Sequence, residues 1–520
     1  MNGMTPARLG LLGAAWILHT CAFAVEPTAG NWRARVASWR PAHEVEVVQE
    51  LAGLVAIPNL ASDRPNIERN AEAVAAILIR RGIRAEMLRV EGAPPVVFGT
   101  LDTPGARRTV VFYAHYDGQP VDPKDWFAGP YQPVLREGPL GAAGRDIALG
   151  SLHPPLDPEW RLYGRSSSDD KAPLVGWMAA LDALRASSVP LSVNLKFFLE
   201  GEEEAGSPHL EAILAKYAEK LRGDLWLLCD GPVHQSRRMQ VFFGARGMTD
   251  LEITTYGPAR RLHSGHYGNW APNPVAAMVE LLASMRDSDG FVRIAGFEKE
   301  VRALSAAERR ALAEVPSVDA DLAAELQIGR TEGRGQSLTE AIQRPALNFR
   351  GVRAGDVGAA ATNSIPTEAT ASIDFRLVPD QTPETVRAAV EAHVRAQGYF
   401  LVHESPDAAM RRAHPKIARL QWGSGYPGYR TPMDLPAGRA VVAAVEEAAG
   451  GPVVKLPSLG GSIPMSLFAE KLQTPIIGIP IANHDNNQHA ANENLRLKNL
   501  WDGIEVYAAL FARLGRLWTN

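Results

Sequence analysis

The order of strand-like and helix-like segments constrains this chain more than any single residue does. From "PPVVFGTLD" and "RTVVFYAHYDG" the sequence passes through "PLVGWMAALDALRAS", "LSVNLKFFLEG", "PHLEAILAKYAEKL" and "GDLWLLCDG". Short β-branched and aromatic runs bounded by turn residues thus alternate with longer stretches of helical apolar spacing. "AHEVEVVQELAGLVAI" and "NAEAVAAILIRRG" add two helices before them, and "TPIIGIPIA" with "LKNLWDGIEVYAALFARLGRLW" adds a strand and a helix near the C-terminus. The alternation predicts an α/β fold, a layered and mostly parallel sheet with helices on both faces.

The middle of the chain follows a different rule. "MTDLEITTYG", "NPVAAMVELLASM", "PALNFRGVRAG", "EATASIDFRLV", "TPETVRAAVEAHVRAQG" and "YFLVHE" read β-α-β-β-α-β, the order of a small ferredoxin-like α+β domain. The simplest architecture is a catalytic domain over 31–236 and 425–520, interrupted by an inserted domain over 237–424. Residues 287–346, charged and Ala-rich, are expected to be helical decoration. "GPLGAAGRDIALGSLHPPLDPEW" is rich in Gly and Pro and reads as a long surface loop.

Composition narrows the function classes. The chain has 46% hydrophobic and 22% charged residues and a formal net charge of -4, with no basic run long enough to track a phosphate backbone, so nucleic acid is excluded as a partner. The N-terminus carries Arg8, an apolar stretch from Leu9 to about Leu18, and Ala22-Phe23-Ala24 as a small-x-small site. Together they read as a signal peptide over residues 1–24. The apolar run is shorter than the roughly 20 residues that span a bilayer, and Thr20 before Cys21 argues against a lipoprotein. The expectation is an exported protein, periplasmic or secreted. Removal of that segment leaves Cys229 alone, so no disulfide forms within the mature chain.

There is no G-x-S-x-G elbow, no H-E-x-x-H helix and no P-loop; what remains is a set of His, Asp and Glu residues at strand ends. His115 and Asp117 stand two apart on one strand and share a face, so Asp117 can orient a metal-binding imidazole. A polar strand end would look the same. Asp169 and Asp170 precede a helix, where acids also serve as caps. Asp230 closes an apolar strand as either a turn or a site residue, and His484 and His489 lie in an Asn-rich loop. Convergence on one edge of one sheet makes the set more specific than its members. Two divalent cations would be balanced by three ligating carboxylates and a hydroxide, leaving one further glutamate free to take a proton.

These motifs together resemble the two-zinc metallopeptidase family of carnosine dipeptidases, aminoacylases and carboxypeptidase G, most closely its dipeptidase branch. The likeness runs from about Glu46 to the C-terminus. H-x-D falls on His115 and Asp117; "SDDKAP" makes Asp169 the acid that bridges two metals, with a peptide bond after it that is often cis in the family. "EGEEEAGS" makes Glu203 the general base and Glu204 a metal ligand, leaving Glu200 and Glu202 for supporting or solvent-facing roles. Asp230 matches the acid after the next strand, and His489 in "QHAANE" the final histidine. The implied grouping is one metal on His115, Asp169 and Asp230, and the other on Asp169, Glu204 and His489. Zinc is the expected ion, with cobalt or manganese acceptable to the same ligands.

"RLHSGHYGNWAPNP" resembles the segment whose histidine, here His263, reaches the substrate, in many relatives from the neighbouring subunit of a dimer. His266 is then a loop residue. Asn363, Arg376 and Ser462 stand where relatives contact the substrate carboxylate; an exposed strand end is the plain alternative for Arg376. Leu459 departs from the branch, which often has an acid there, as does Ala172, where a glycine is usual. The implied activity is hydrolysis of the amide bond in dipeptides or short peptides with a free C-terminal carboxylate, by water activated between two metals with Glu203 as base. N-acyl amino acid deacylation is the alternative within enzymes. A binding protein on a dead hydrolase scaffold is the alternative outside them.

Overall fold

The computed structural model describes residues 1–3 and 32–519; the expected signal peptide, but for its first three residues, lies outside them. An eight-stranded sheet runs in the order 84–88, 96–101, 194–200, 109–115, 225–228, 476–478, 240–242, 454–456. Its four central strands, 194–200 to 476–478, are parallel. Antiparallel pairs flank them: 84–88 with 96–101, 96–101 with 194–200, and 476–478 with 240–242. The parallel expectation therefore holds at the centre, where the site is built.

Period-two alternation explains both faces of this sheet. Val110, Phe112, Ala114, Leu225 and Leu227 join one buried cluster, while Val111, Tyr113, Trp226 and Leu228 join the other. On the first side lie helices Trp32–Val55, Lys171–Ala186, Pro436–Ala449 and Leu497–Leu517, the last burying Leu497, Leu500, Trp501, Ile504, Ala508 and Phe511 at helical spacing. On the second lie Leu210–Leu221 and Met465–Leu472. Ends are set locally: Pro436 opens its helix, and Gly450, at φ 72°, closes it in the left-handed region.

The inserted domain has its own sheet, in the order 346–354, 368–377, 244–256, 417–426, 400–402. Helices Pro274–Met285 and Pro383–Ala396 pack on it through Met278, Leu281, Val386 and Val390 against Leu251, Ile253, Ile373 and Phe375. One expectation is corrected. The ferredoxin-like fourth strand is 417–426, antiparallel to 244–256, whereas "YFLVHE" supplies only 400–402, one place further out and parallel to 417–426. A strand only three residues long offers too few ladder positions to hold the central place beside the 13-residue strand 244–256. The 287–346 gap is partly helical, at 306–313, 319–325 and 338–341.

The Gly- and Pro-rich stretch is also more ordered than a surface loop. Strands 134–136 and 146–147 form a hairpin in a small sheet with 161–163 and 494–496. Leu152 and Leu156 are buried, and the Leu156 N–H donates to Glu44 Oε2 at 2.7 Å. Polar residues at this stretch's surface hide those few apolar anchors from a composition-based reading.

Candidate metal centre

Every residue of the expected cluster follows the carboxyl end of a central strand or lies in a loop that returns there. His115 ends strand 109–115, Glu203 opens a short turn after strand 194–200, Asp230 follows 225–228, and His489 lies between 476–478 and 494–496. Asp169 and Asp170 precede helix Lys171–Ala186, joined by a cis peptide bond as the resemblance implied. The Asn-rich loop around His489 has a local cause: Asn487 and Asn492 take φ 58° and 63°, values that Asn tolerates better than most residues.

Asp169 sits at the middle. Its Oδ1 lies 3.0 Å from His115 Nε2 and its Oδ2 3.3 Å from His489 Nε2, so each oxygen of one carboxylate faces an imidazole. His489 Nε2 is also 3.3 Å from Glu204 Oε2. Donor atoms of His115, Asp169 and Glu204 fall within 4.8 Å of one another, as do those of His115, Asp170 and Asp230. The Asp169–Glu204–His489 set expected from the resemblance is thus assembled around His489 Nε2. Near His115 and Asp230, the carboxylate within that span is Asp170, whose Oδ2 accepts the His115 backbone N–H at 3.3 Å.

Asp117, fully buried, organises the turn rather than standing apart. Its Oδ1 lies 3.3 Å from His115 Nδ1 and accepts the Glu203 N–H, and its Oδ2 accepts the Glu204 N–H at 3.0 Å. One carboxylate thereby fixes an imidazole and two successive backbone positions. Of the other two glutamates, Glu200 accepts from Tyr113 Oη at 2.8 Å, and Glu202 takes the His209 N–H at the start of helix Leu210–Leu221, where a negative charge suits the helix dipole. Both are buried, so neither faces solvent.

Charge is out of balance here. Burial, then the Asp169 charge, pushes the Asp230 carboxyl up to about 6; burial and Asp169 push Glu204 up to about 8. Burial, with Asp230 and Glu204 against His115, raises Glu203 well above the carboxylate range. Burial alone would lower the His115 imidazole, but Asp117 and Asp169 hold it well above its usual value. Among the described residues no Lys or Arg pairs with Asp169, Glu203, Glu204 or Asp230, and Asp169 Oδ2 is buried with no hydrogen-bond donor. A buried carboxylate oxygen without a donor, set between two imidazoles and other acids, fits a divalent cation.

Arg376 and Ser462 share one cavity of about 610 Å³ with Asp169, Glu203, Asp230 and His489. Arg376 Nε donates to Asp374 Oδ2 at 3.0 Å and Nη1 to Ser462 Oγ at 2.8 Å, so the guanidinium is aimed, not loose at a strand end. His263 and Asn363 lie elsewhere. His263 lies on the short strand 262–263 and Asn363 just before its partner strand 364–365, where Ser264 N–H donates to Asn363 O at 2.9 Å; both are exposed and neither lines the cavity of its own chain.

Two supporting residues escaped the sequence reading. Gln119 Nε2 donates to Glu204 Oε2 at 2.8 Å. Glu493, with no exposed surface, accepts N–H groups from Ser166, Ser168 and Asp169 and pairs with Arg165 at 2.9 Å. Gln119 continues the two-residue alternation of His115 and Asp117; Glu493 has no local signal.

Sheet, cluster and inserted domain together define the zinc-exopeptidase fold. The model of "Peptidase family M20/M25/M40" matches residues 111–513, and the chain belongs to that family. It is a metallopeptidase of the dipeptidase branch. It is 26% identical over 480 residues to the Cys-Gly metallodipeptidase of Schizosaccharomyces pombe, covering 89% of this chain and 94% of that one. To the Beta-Ala-His dipeptidase of Homo sapiens it is 26% identical over 503 residues, 91% of each chain. The M20 metallo-carboxypeptidase Sso-CP2 of Sulfolobus solfataricus superposes with a TM-score of 0.73 at 24% identity, over 91% of this chain and 99% of that one.

Proposed function

We propose that the protein hydrolyses the amide bond of dipeptides or short peptides bearing a free C-terminal carboxylate, with two divalent ions, zinc first among them. The observation that carries the proposal is the single cavity joining the carboxylate–imidazole cluster to Arg376 and Ser462. The relatives named as Cys-Gly and Beta-Ala-His dipeptidases support it.

His115, Asp169, Glu204, Asp230 and His489 would hold the ions, Asp169 through a carboxylate whose two oxygens face His115 and His489. The ions, when bound, acidify water and polarise the scissile carbonyl. Glu203 accepts the proton of the attacking water on a carboxylate oxygen and returns it to the leaving amine. Asp117 keeps His115 and the Glu203 backbone in place, and the Arg376 guanidinium, with the Ser462 hydroxyl, holds the substrate carboxylate. His263 and Asn363, outside the lining of their own chain's cavity, act from a second copy in a homodimer, where His263 donates to the developing oxyanion. The N-terminal segment supports export to the periplasm or beyond; no helix among the described residues is long and apolar enough to cross a membrane. Leu459 at the cavity wall, where an acid would receive a free amine, favours N-acyl amino acids as a second substrate class.

Incubation of the zinc-loaded protein with a mixed pool of dipeptides and N-acyl amino acids should deplete dipeptides, as read by mass spectrometry. A chelator should stop the loss and zinc should restore it; an untouched pool overturns the proposal. Shared sites make a second prediction. Glu203→Gln and His263→Ala, each inactive alone, should regain about a quarter of wild-type activity when unfolded together and refolded at equal ratio, since mixed dimers hold one intact site. If the mixture stays as inactive as its parts, His263 does not act across subunits.

A further inference from the structure

The lining of the cavity is of two unlike kinds. Its acids are Asp169, Glu203 and Asp230, all in the cluster, and the one Lys or Arg among its described lining residues is Arg376. The rest of the lining carries no Asp, Glu, Lys or Arg: Val233, Leu338, Ile342 and Leu459 form its apolar wall, beside the polar His234, Gln235 and Thr339. Leu338 and Ile342 come from the 287–346 segment, so this part of the insertion is a wall of the site and not decoration.

The wall is held in place. Gln343, 7% exposed, donates through Nε2 to Ser458 O at 3.0 Å and to Thr339 O at 3.2 Å, fastening helix Leu338–Ala341 against strand Leu459–Ser462. A Cβ at Gly460 would lie 3.5 Å from Ile342, and one at Gly231, beside Asp230, 3.4 Å from Leu459. Ile342 of the insertion and Leu459 therefore pack over the backbone at Gly460 and Gly231, the second of these next to Asp230. Leu338 is left 40% exposed at this wall, a large apolar side chain with room for a partner.

We propose that this wall receives an apolar side chain of the substrate, and that the protein selects dipeptides carrying a branched or aromatic apolar residue over those carrying a charged one. The proposal rests on the hydrolase reading above and names its substrate class. Burial of an apolar side chain against the wall is favourable, while an ammonium or carboxylate there loses hydration and finds no opposite charge. Pocket contacts of this kind discriminate by about 10- to 200-fold per methylene-scale difference.

The test uses two series, Xaa-Gly and Gly-Xaa, with Xaa as Leu, Phe, Asp or Lys, on the zinc-loaded full chain. In at least one series kcat/KM should favour Leu or Phe over Asp and Lys by about 100-fold. Leu338→Asp, at an exposed position that tolerates the change, should cut that ratio at least tenfold by raising the Lys substrate and lowering the Leu one. Calorimetric binding of the same peptides to Glu203→Gln reads the preference without turnover. Cleavage with no preference in either series overturns the inference and leaves the hydrolase reading standing. Tenfold tighter binding of Leu than of Lys peptides, with no cleavage by the wild type, does the reverse.

Discussion

Glu203→Gln should bind its divalent ions at wild-type stoichiometry and lose roughly 100- to 10,000-fold in kcat/KM, the usual weight of a positioned general base. The substitution is nearly isosteric, and the Glu203 backbone stays anchored because its N–H donates to Asp117 Oδ1 at 3.1 Å, a contact the side chain does not make. The side chain lies 3.9 Å from His115 Nε2, outside the 3.0 Å contact that Asp169 makes with the same nitrogen. Chemistry and metal binding are therefore separable at this position. Glu204→Gln should behave in the opposite way, because Glu204 Oε2 is one of two oxygens 3.3 Å from His489 Nε2, and its loss should lower metal content first. Metal analysis by plasma mass spectrometry beside steady-state rates would decide. A Glu203→Gln protein that keeps a tenth of its activity, or loses a metal, removes Glu203 from the role of base.

Glu493→Ala should be the most damaging substitution outside the cluster. It deletes the acceptor shared by the Ser166, Ser168 and Asp169 N–H groups and leaves the Arg165 guanidinium, 2% exposed, without its carboxylate. Breaking a buried pair from one side costs about 3–5 kcal/mol. The expected fall in unfolding midpoint is about 3–5 °C, with reduced metal content because the chain at Asp169 is no longer held. The double variant Glu493→Gln/Arg165→Met separates the two effects. Removing both charges should recover part of the midpoint, while metal binding stays weak because the amide oxygen serves three donors poorly. Full recovery of metal content in the double variant would show that Glu493 serves stability alone.

The cluster was legible in advance because each of its members lies at a local boundary that periodicity can find. His115 closes a strand buried at every position but its first, with Asp117 two residues further on; Asp230 follows five consecutive buried residues, and Glu203 and Glu204 occupy the turn after "NLKFFLE". The resemblance then sorted four neighbouring glutamates into base, ligand and two others. It did not place those two. Glu200 and Glu202 are both enclosed, one by Tyr113 and one by the start of a helix, contacts 87 and 7 residues away in sequence. Asp170 was a candidate beside Asp169, but its place next to His115 and Asp230 was not legible, because it depends on how distant strand ends meet.

What the sequence determined by itself is the alternation of elements, the insertion, and the identity of the groups that carry charge at strand ends, since all of these follow from spacing along the chain. Tertiary structure decided which strand stands beside 244–256, that the 338–342 segment walls the cavity, and that Glu493 holds the loop before Asp169. It also decided that His263 and Asn363 lie away from the cavity of their own chain. The physical reason is the same in each case. These outcomes depend on pairings between residues tens to hundreds of positions apart, where loop closure and burial choose the partner and no local pattern records the choice.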